Sequence, residues 1–271
     1  MLLKDNLTFV IPTHNRPEKS YCLVSKIISY DIKVILIENN STSDNIFLYR
    51  SYFKKLLNNK LVISYNNFSN NSFFKTNSAS IARNYGFNLV DTEFVIFFDD
   101  DDDIHSETLQ YINNYIISST LDYLVIPYIF SQSKECLPPS LYSSLKFIKR
   151  YGHRGNSGTL IIKSSYVKKI GRWNSSFIAA QDTDFFIRVF KFSKKFEILT
   201  CKPVVIHDDF RSRITLSPLL QMVSKLQFLY YHWYNIHFLR LLKYLISFFL
   251  FIPYIKFTNS YIINLLNEKP S

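Results

Sequence analysis

Five consecutive aspartates, Asp99–Asp103, directly follow an apolar run in the segment Phe94–His105 (FVIFFDDDDDIH). Carboxylates this close repel one another, and at the end of a buried strand they destabilise the fold unless a cation or hydrogen-bond donors neutralise them. Hard divalent cations such as Mg²⁺ and Mn²⁺ take carboxylate oxygens and often share their shell with substrate phosphates. We therefore expect Asp99 and Asp101 to bind a cation at a strand end, where open α/β sheets bind ligands. A solvated acidic loop ahead of a helix is the alternative.

Up to about His207, short apolar runs alternate with segments of helical period, which predicts an α/β fold with a mostly parallel central sheet flanked by helices. The predicted strands are Leu7–Ile11, Lys33–Glu38, Leu61–Tyr65, Phe94–Phe98, Tyr123–Pro127, Thr159–Lys163 and Pro203–His207. The predicted helices start near Pro17 and cover about Asp44–Leu57, Ser78–Leu89, Ser106–Ile117 and Asp182–Phe192.

Composition excludes several classes of protein. The chain has 271 residues, of which 47% are hydrophobic, so it is neither a disordered tail nor a small disulfide scaffold. Its three cysteines are far apart and lack the spacing of a zinc or disulfide framework, which fits a reducing compartment. The first residues lack the features of a secretory signal, so we expect a cytoplasmic location. The net charge of +11 suits nucleic acid, anionic lipid or an anionic small substrate.

The composition changes after Arg213, and we predict two domains, 1–213 and 214–271. The segment Ser217–Leu266 contains no acidic residue and is rich in aromatic and aliphatic side chains. Its longest apolar stretch, Tyr244–Ile255, is shorter than the ~20 residues that span a bilayer, so we expect an amphipathic helical extension. Lys and Arg beside Trp and Tyr suit an anionic membrane surface. Packing against the first domain or a second subunit is the alternative.

Five motifs occur in a characteristic order along the chain. They are IPTHNRP (Ile11–Pro17), ENNSTSD (Glu38–Asp44), SIARNYG (Ser80–Gly86), FFDDDDD (Phe97–Asp103) and QDTDFFIRV (Gln181–Val189). In these motifs, over about Leu7–His207, the chain resembles family 2 glycosyltransferases of the GT-A fold. The resemblance implies a nucleotide-sugar-binding catalytic domain, a divalent metal (Mg²⁺ or Mn²⁺) held by a DxD motif, and inversion at the anomeric carbon.

The resemblance also implies which residues contact the donor. Pro12, Thr13 and His14 would line the nucleotide pocket. Glu38 and Asn39 stand where relatives carry a pair of acids, one of which contacts the uracil ring, and a carboxylate or amide oxygen can accept the uracil N–H. The other donor contacts implied are Arg83, Asp99, Asp100, Asn156, Ser157, Gly158, Arg211 and Arg213.

The last motif would supply the catalytic base. An inverting transfer needs a base that removes the proton of the acceptor hydroxyl, and Asp182 stands at the family's position for it. Gln181 replaces the glutamate that usually precedes this aspartate. His207 corresponds to a residue that some relatives use as a further metal contact. Trp173 could stack on an acceptor sugar or lie in the core.

Together these features imply transfer of a hexose or N-acetylhexosamine from a UDP-sugar to a hydroxyl of a glycan or lipid-linked glycan. The expected setting is lipopolysaccharide, lipooligosaccharide or capsule synthesis at the inner face of the cell membrane. A haloacid-dehalogenase-like phosphatase, which also presents Asp-x-Asp after a strand, is one alternative. A non-catalytic basic protein that binds lipid or nucleic acid is the other, although an acidic cluster argues against nucleic acid as a partner.

Overall fold

The computed structural model describes residues 2–56, 59–66, 79–116, 120–134, 157–177, 180–207 and 218–249, and residues 118, 136, 139 and 146 singly. Within these ranges the strands are β1 Leu7–Thr13, β2 Lys33–Asn39, β3 Leu61–Asn66, β4 Phe94–Phe97, β5 Tyr123–Val125, β6 Tyr128–Phe130, β7 Leu160–Lys163, β8 Phe196–Ile198 and β9 Val204–Ile206. The α-helices are α1 Pro17–Ile28, α2 Ser43–Phe53, α3 Ala79–Asn88, α4 Ser106–Asn114, α5 Ser164–Lys169, α6 Gln181–Phe192, α7 Pro218–His232 and α8 Phe238–Phe249.

Seven strands form the central sheet in the order β3-β2-β1-β4-β7-β5-β8, and β6 pairs with β9 in a second, two-stranded sheet. All neighbouring strands of the central sheet run parallel except at β7, which is antiparallel to both β4 and β5. The predicted α/β class with a mostly parallel, helix-flanked sheet is therefore confirmed.

Helices cover both faces of the sheet, because successive side chains of a strand point to opposite faces. Val10 and Ile37 belong to a buried cluster that includes residues of α3, α5 and α6. Phe9 and Leu36, the residues beside them in the chain, belong to a second buried cluster with residues of α1, α2 and α4. Burial on both faces explains why β1, β2 and β4 read as continuous apolar runs.

The structure differs from the predicted elements where these are short or near their ends. The helix expected to reach Leu57 ends at Phe53, and the helix expected to reach Ile117 ends at Asn114. Strands β6 and β8 and the six-residue helix α5 were not predicted. Strands β6 and β8 have only three residues each, too few to show a clear period of their own, and each pairs with a strand far away in the sequence.

Helix α7 contacts the α/β domain. Phe228 of α7 is fully buried in the same cluster as Phe186 of α6. At the end of α7, the His232 Nε2 lies 2.8 Å from the Asp184 Oδ1, and Asp184 also forms an ion pair with Arg188 at 2.5 Å. The alternative that the extension packs on the first domain thus applies to α7. The division at residue 213 stays a prediction, since residues 208–217 lie outside the described ranges.

None of the helices in the described ranges has the length and apolar character needed to cross a bilayer.

Gly86 allows α3 to pack unusually close to the sheet. A Cβ added at Gly86 would lie 2.6 Å from the Val10 Cγ1 and 3.0 Å from the Ile37 Cγ1, closer than side-chain contacts normally allow. The absence of a side chain therefore fixes how near α3, which carries Arg83, lies to the strand ends of β1 and β2.

We expect the Gly86→Val substitution to lower the free energy of unfolding by about 2–3 kcal/mol, because overpacking pushes α3 away from the sheet. Lys19→Val, at an exposed position of α1, controls for placing a β-branched residue in a helix and should cost less than ~1 kcal/mol. Chemical denaturation of the two variants and the wild type measures both values. Equal stability of Gly86→Val and Lys19→Val would contradict the close packing.

Candidate active site

The carboxyl ends of β1, β2 and β4 meet at one edge of the central sheet. Thr13 at the end of β1 is in register with Glu38 of β2. Just beyond β4, the Phe98 N–H donates to the Val10 carbonyl at 3.0 Å. The parallel strands therefore bring three of the sequence motifs together at the edge where α/β proteins bind ligands.

The aspartate run turns back on itself after β4. The Asp102 N–H donates to the Asp99 carbonyl at 3.3 Å, which returns Asp102 to the start of the run. Carboxylate oxygens of Asp99, Asp101 and Asp102 all lie within 4.8 Å of one another, and we call these three residues the carboxylate cluster. Three convergent carboxylates match the oxygen ligands that Mg²⁺ and Mn²⁺ prefer. The residues thus fit the divalent cation implied by the sequence.

Asp100 points into the domain instead. Its Oδ2 accepts hydrogen bonds from the Thr13 Oγ1 at 2.6 Å and the Ser20 Oγ at 3.3 Å, and its Oδ1 pairs with the Arg16 Nη1 at 2.7 Å. Burial raises the pKa of Asp100 to about 6, although Arg16 and Thr13 act to lower it. Both oxygens of Asp100 have partners within the protein, so this residue fixes the run to β1 and α1.

His207 contacts the cluster through its main chain. Its backbone N–H donates to the Asp102 Oδ1 at 3.0 Å. Among the residues the structure describes, the His207 imidazole is not part of the group that could hold a metal. The backbone of His207 thus helps to orient Asp102, and a metal role for its imidazole stays a prediction.

Arg83 of α3 connects the carboxylate cluster with the rest of the site. Its Nη2 lies 2.5 Å from the Asp99 Oδ1, and its guanidinium lies 4.4 Å from the centre of the Trp173 ring. Burial opposes the charge of Arg83, but Asp99 and Asp182 outweigh that effect and raise its pKa. The Arg83 Nε is buried and has no hydrogen-bond partner in the described structure.

Trp173 is a core residue. Its ring stacks on Phe185 at 4.2 Å between centroids, with Arg83 also over the ring, and only 2% of the residue is exposed. Asn84 holds the backbone of Trp173 through two hydrogen bonds, of 2.8 and 3.0 Å. Of the two possibilities left open by the sequence, the structure selects burial, because neither ring face is free for a sugar.

Asp182 stands at the start of α6. Its Oδ1 is buried without a hydrogen-bond partner among the described residues. Burial raises the pKa of Asp182 to about 6, with Arg83 opposing the shift and Asp99 adding to it. A carboxylate with this pKa is largely ionised at pH 7 and still able to accept a proton.

Gln181, the residue before Asp182, connects three segments of the site. Its Oε1 accepts from the Ser80 Oγ at 2.7 Å, and its Nε2 donates to the Phe177 carbonyl at 2.9 Å. A glutamate could accept the first bond but could not donate the second, so the amide suits this position. The start of α3 and the start of α6 are thereby held together.

The residues expected to line the nucleotide pocket lie beside one another at the ends of β1 and β2. The exposed His14 donates through Nδ1 to the Asn39 carbonyl at 2.9 Å, and Pro12 is half-buried in β1. The Thr13 hydroxyl donates a hydrogen bond to the Asp100 carboxylate. The Glu38 Oε1 accepts from the Ser41 N–H at 2.7 Å, whereas its buried Oε2 has no hydrogen-bond partner among the described residues. Glu38 is thus the residue here with an unused buried acceptor.

The residues expected near the donor sugar are described only in part. Ser157 and Gly158 form a buried 3₁₀ turn just before β7, and the Ser157 Oγ has no hydrogen-bond partner in the described ranges. The other three predicted contacts, Asn156, Arg211 and Arg213, lie outside the described residues.

Sequence reasoning missed two residues of the site, Arg16 and Asp102. Arg16 lies 2.7 Å from Asp100 and 2.9 Å from Asp101, which are more than 80 positions away in the sequence. Asp102 joins the cluster because the chain turns there, which the spacing of Asp99 and Asp101 alone does not indicate. The position of Arg16 inside the IPTHNRP motif was the available signal, but no sequence pattern indicates its partners.

Comparison with known proteins identifies the family. Residues 8–193 match the model of Glycosyl transferase family 2. Poly(ribitol-phosphate) beta-N-acetylglucosaminyltransferase TarP of Staphylococcus aureus (strain N315) is 25% identical over 141 residues, which are 50% of this chain and 40% of TarP. The chain therefore spans less than half the length of this curated relative.

Two solved structures show the same fold. The crystal structure of S. aureus TarS 1–349 in complex with UDP-GlcNAc has a TM-score of 0.58 and 20% identity, covering 83% of this chain and 66% of that chain. Mannosyltransferase PcManGT from Pyrobaculum calidifontis, in complex with GDP-Man and Mn²⁺, has a TM-score of 0.55 and 13% identity, covering 80% and 61%. The fold is therefore GT-A, and the match to the family sets aside the phosphatase alternative. Because that match extends over well more than half of its length, the chain belongs to glycosyl transferase family 2.

Proposed function

We propose that this protein is a metal-dependent inverting glycosyltransferase that moves a hexose or N-acetylhexosamine from a UDP-sugar to a hydroxyl of a glycan acceptor. One observation carries the proposal: Arg83 interacts electrostatically with both Asp99 of the carboxylate cluster and Asp182. A group of cation ligands and a candidate base therefore both lie near one guanidinium. Inverting transfer needs this combination, since the leaving group and the attacking hydroxyl lie on opposite sides of the sugar carbon.

The donor would bind along the carboxylate cluster and the ends of β1 and β2. Asp99, Asp101 and Asp102 would hold Mg²⁺ or Mn²⁺, which supplies positive charge that stabilises the leaving diphosphate. The unused Oε2 of Glu38 could accept the N–H of a uracil ring. The TarS complexes with UDP-GlcNAc and with UDP support a UDP-sugar, because they belong to proteins of the same fold.

Asp182 would act as the general base. Its carboxylate has an oxygen without a partner and a pKa of about 6, so it can accept the acceptor's proton near neutral pH. Gln181 would orient the start of α6 through its bonds to Ser80 and to the Phe177 carbonyl. Arg83 would keep a positive charge near both Asp99 and Asp182, which offsets the repulsion between these two carboxylates.

The acceptor would be a glycan of lipopolysaccharide, lipooligosaccharide or capsule, or a lipid-linked precursor of one. The name of the relative TarP refers to a poly(ribitol-phosphate) acceptor, which supports a cell-surface polymer as the general class. Such acceptors are built at the inner face of the cell membrane, and the protein would act there from the cytoplasm.

The surface of α7 and α8 supports contact with an anionic membrane. In these helices and the short turn between them, the exposed large apolar side chains are Leu226, Tyr230, Tyr231, Trp233, Tyr234, Phe238, Leu242, Leu245 and Ile246. The sequence 218–249 contains three basic residues, Lys225, Arg240 and Lys243, and no acidic residue. Aromatic rings beside basic groups are typical of helices that lie in the interface of an anionic leaflet.

The activity itself is tested with purified protein, Mn²⁺ and UDP-, GDP- and dTDP-sugars, by measuring nucleoside diphosphate release. We expect release from a UDP-sugar, and loss of that release when the cation is chelated. Release that persists in full without a divalent cation would contradict the proposal.

We expect Asp182→Asn to lower kcat by at least ~100-fold, because an amide cannot accept the proton of the acceptor hydroxyl. The affinity for UDP should change by less than ~2-fold. Since the pKa of Asp182 is raised to about 6, the wild-type kcat should fall as the pH drops below that value and Asp182 becomes protonated. Steady-state kinetics between pH 5 and ~8 measures these effects.

Asp122→Asn is the matched control for this variant. Asp122 is also partly buried, but it accepts from Ser193 outside the candidate site. Its substitution should leave the pH dependence of kcat unchanged. An Asp182→Asn variant that retains the wild-type kcat would assign the base to another residue.

We expect the double variant Trp233→Ser/Phe238→Ser to reduce binding to liposomes containing phosphatidylglycerol by at least ~10-fold, because each ring loses its apolar burial in the lipid. Phe47→Ser is the control, since Phe47 on α2 is 72% exposed and Phe238 is 69% exposed. Co-sedimentation measures the bound fraction. Equal losses in the double variant and in Phe47→Ser would show that α7 and α8 are not the membrane-binding surface.

A further inference from the structure

Arg16 connects the carboxylate cluster with the interior of the domain. Its Nη1 lies 2.7 Å from the Asp100 Oδ1 and 2.9 Å from the Asp101 Oδ2. The main chain of Arg16 is fixed just before α1, where its N–H donates to the Tyr49 Oη at 3.0 Å. One nitrogen of the guanidinium therefore contacts a buried carboxylate and a member of the cluster at the same time.

The two carboxylates that contact Arg16 differ in how firmly they are held in place. Asp100 is almost fully buried and keeps its hydrogen bonds to Thr13 and Ser20, so it is a fixed anchor. The Asp101 side chain is 34% exposed and belongs to the group that could hold a cation. A divalent cation on Asp101 would repel the guanidinium, because like charges a few ångströms apart interact strongly near a protein surface. Cation binding would thus weaken the contact of Arg16 with Asp101 and leave its contact with Asp100.

Arg16 also has unused hydrogen-bond donors. Its Nε and Nη2 make no hydrogen bond to any residue in the described ranges, and its side chain is 37% exposed. Arg83, by comparison, has a side chain that is only 5% exposed and is paired with Asp99. A guanidinium presents five N–H donors in a geometry that matches phosphate oxygens. Of Arg16 and Arg83, the two arginines that the structure describes at this site, Arg16 is therefore the one with both an accessible side chain and unused donors.

We propose that Arg16 neutralises Asp101 in the cation-free protein and, once a divalent cation binds Asp101, donates hydrogen bonds to the diphosphate of the donor nucleotide. The inference rests on the proposed function and names a further residue for binding the donor. Arg16 thus exchanges the Asp101 carboxylate for the diphosphate. The ion pair with Asp100 keeps the Arg16 guanidinium in place during this exchange.

The Arg16→Gln variant separates the two parts of this role. Binding of Mn²⁺ alone, measured by electron paramagnetic resonance, should become at least ~3-fold tighter, because a competing positive charge has been removed. Binding of UDP at saturating Mn²⁺, measured by calorimetry, should weaken at least ~10-fold, the scale of a lost charge-assisted hydrogen bond. A residue that only supports the fold would weaken both.

Lys26→Gln is the matched control. Lys26 pairs with Asp103 at 2.9 Å, in the same acidic run but outside the carboxylate cluster. This variant loses the same charge, and we expect its affinity for UDP to stay within ~2-fold of the wild type, as a long-range effect of charge alone is weak. If Lys26→Gln and Arg16→Gln weaken UDP binding equally, the effect is one of net charge and the inference is wrong.

A second variant guards against misfolding. Arg16→Gln/Asp100→Asn removes the charge of the buried carboxylate together with that of its partner, so an unpaired buried charge is avoided. It should show the same loss of UDP affinity with a thermal transition close to that of the wild type. Unchanged UDP binding in a folded Arg16 variant overturns only the inference, whereas a wild type that binds no UDP with Mn²⁺ overturns the proposed function as well.

Discussion

The neutralisation of five adjacent carboxylates is the constraint on which the candidate site depends. Three of the run's five members are the carboxylate cluster, and the other two are tied away from it: Asp100 to Arg16, Thr13 and Ser20, and Asp103 to Lys26. Because Asp100 and Asp103 are paired with basic or hydroxyl groups, the fold tolerates five adjacent carboxylates at the end of a buried strand. It also leaves Asp99, Asp101 and Asp102 close enough together to take a cation.

Much of the fold could be predicted from the sequence, because the longer strands and helices are marked by patterns within their own residues. The long strands β1, β2 and β4 are continuous apolar runs, and the start of α1 follows from Pro17. The short strands β6 and β8 could not be predicted, since they depend on partners far away in the chain. Their position is a property of the sheet as a whole and not of their own residues.

The candidate site divides in the same way. Asp99, Asp101 and Asp182 were predicted because a residue type in a motif is enough to suggest their chemistry. The inward turn of Asp100 and the participation of Arg16 were not, because both depend on contacts between β1, α1 and the end of β4. In the sequence, Gln181 stands where the family's motif usually has a glutamate, so one negative charge is missing beside Asp182. In the structure the Gln181 amide accepts a hydrogen bond from Ser80 of α3 and donates one to the Phe177 carbonyl before α6. A glutamate could accept the first bond but could not donate the second.

Cation binding at the carboxylate cluster is the central claim, and the anomalous scattering of manganese tests it most directly. Diffraction data from crystals of the full chain grown with Mn²⁺ and UDP would locate the ion without any assumption about its ligands. We expect one strong anomalous peak between the carboxylates of Asp99, Asp101 and Asp102, in contact with the diphosphate. Bound UDP with no manganese at the cluster, or manganese bound elsewhere, would contradict the claim.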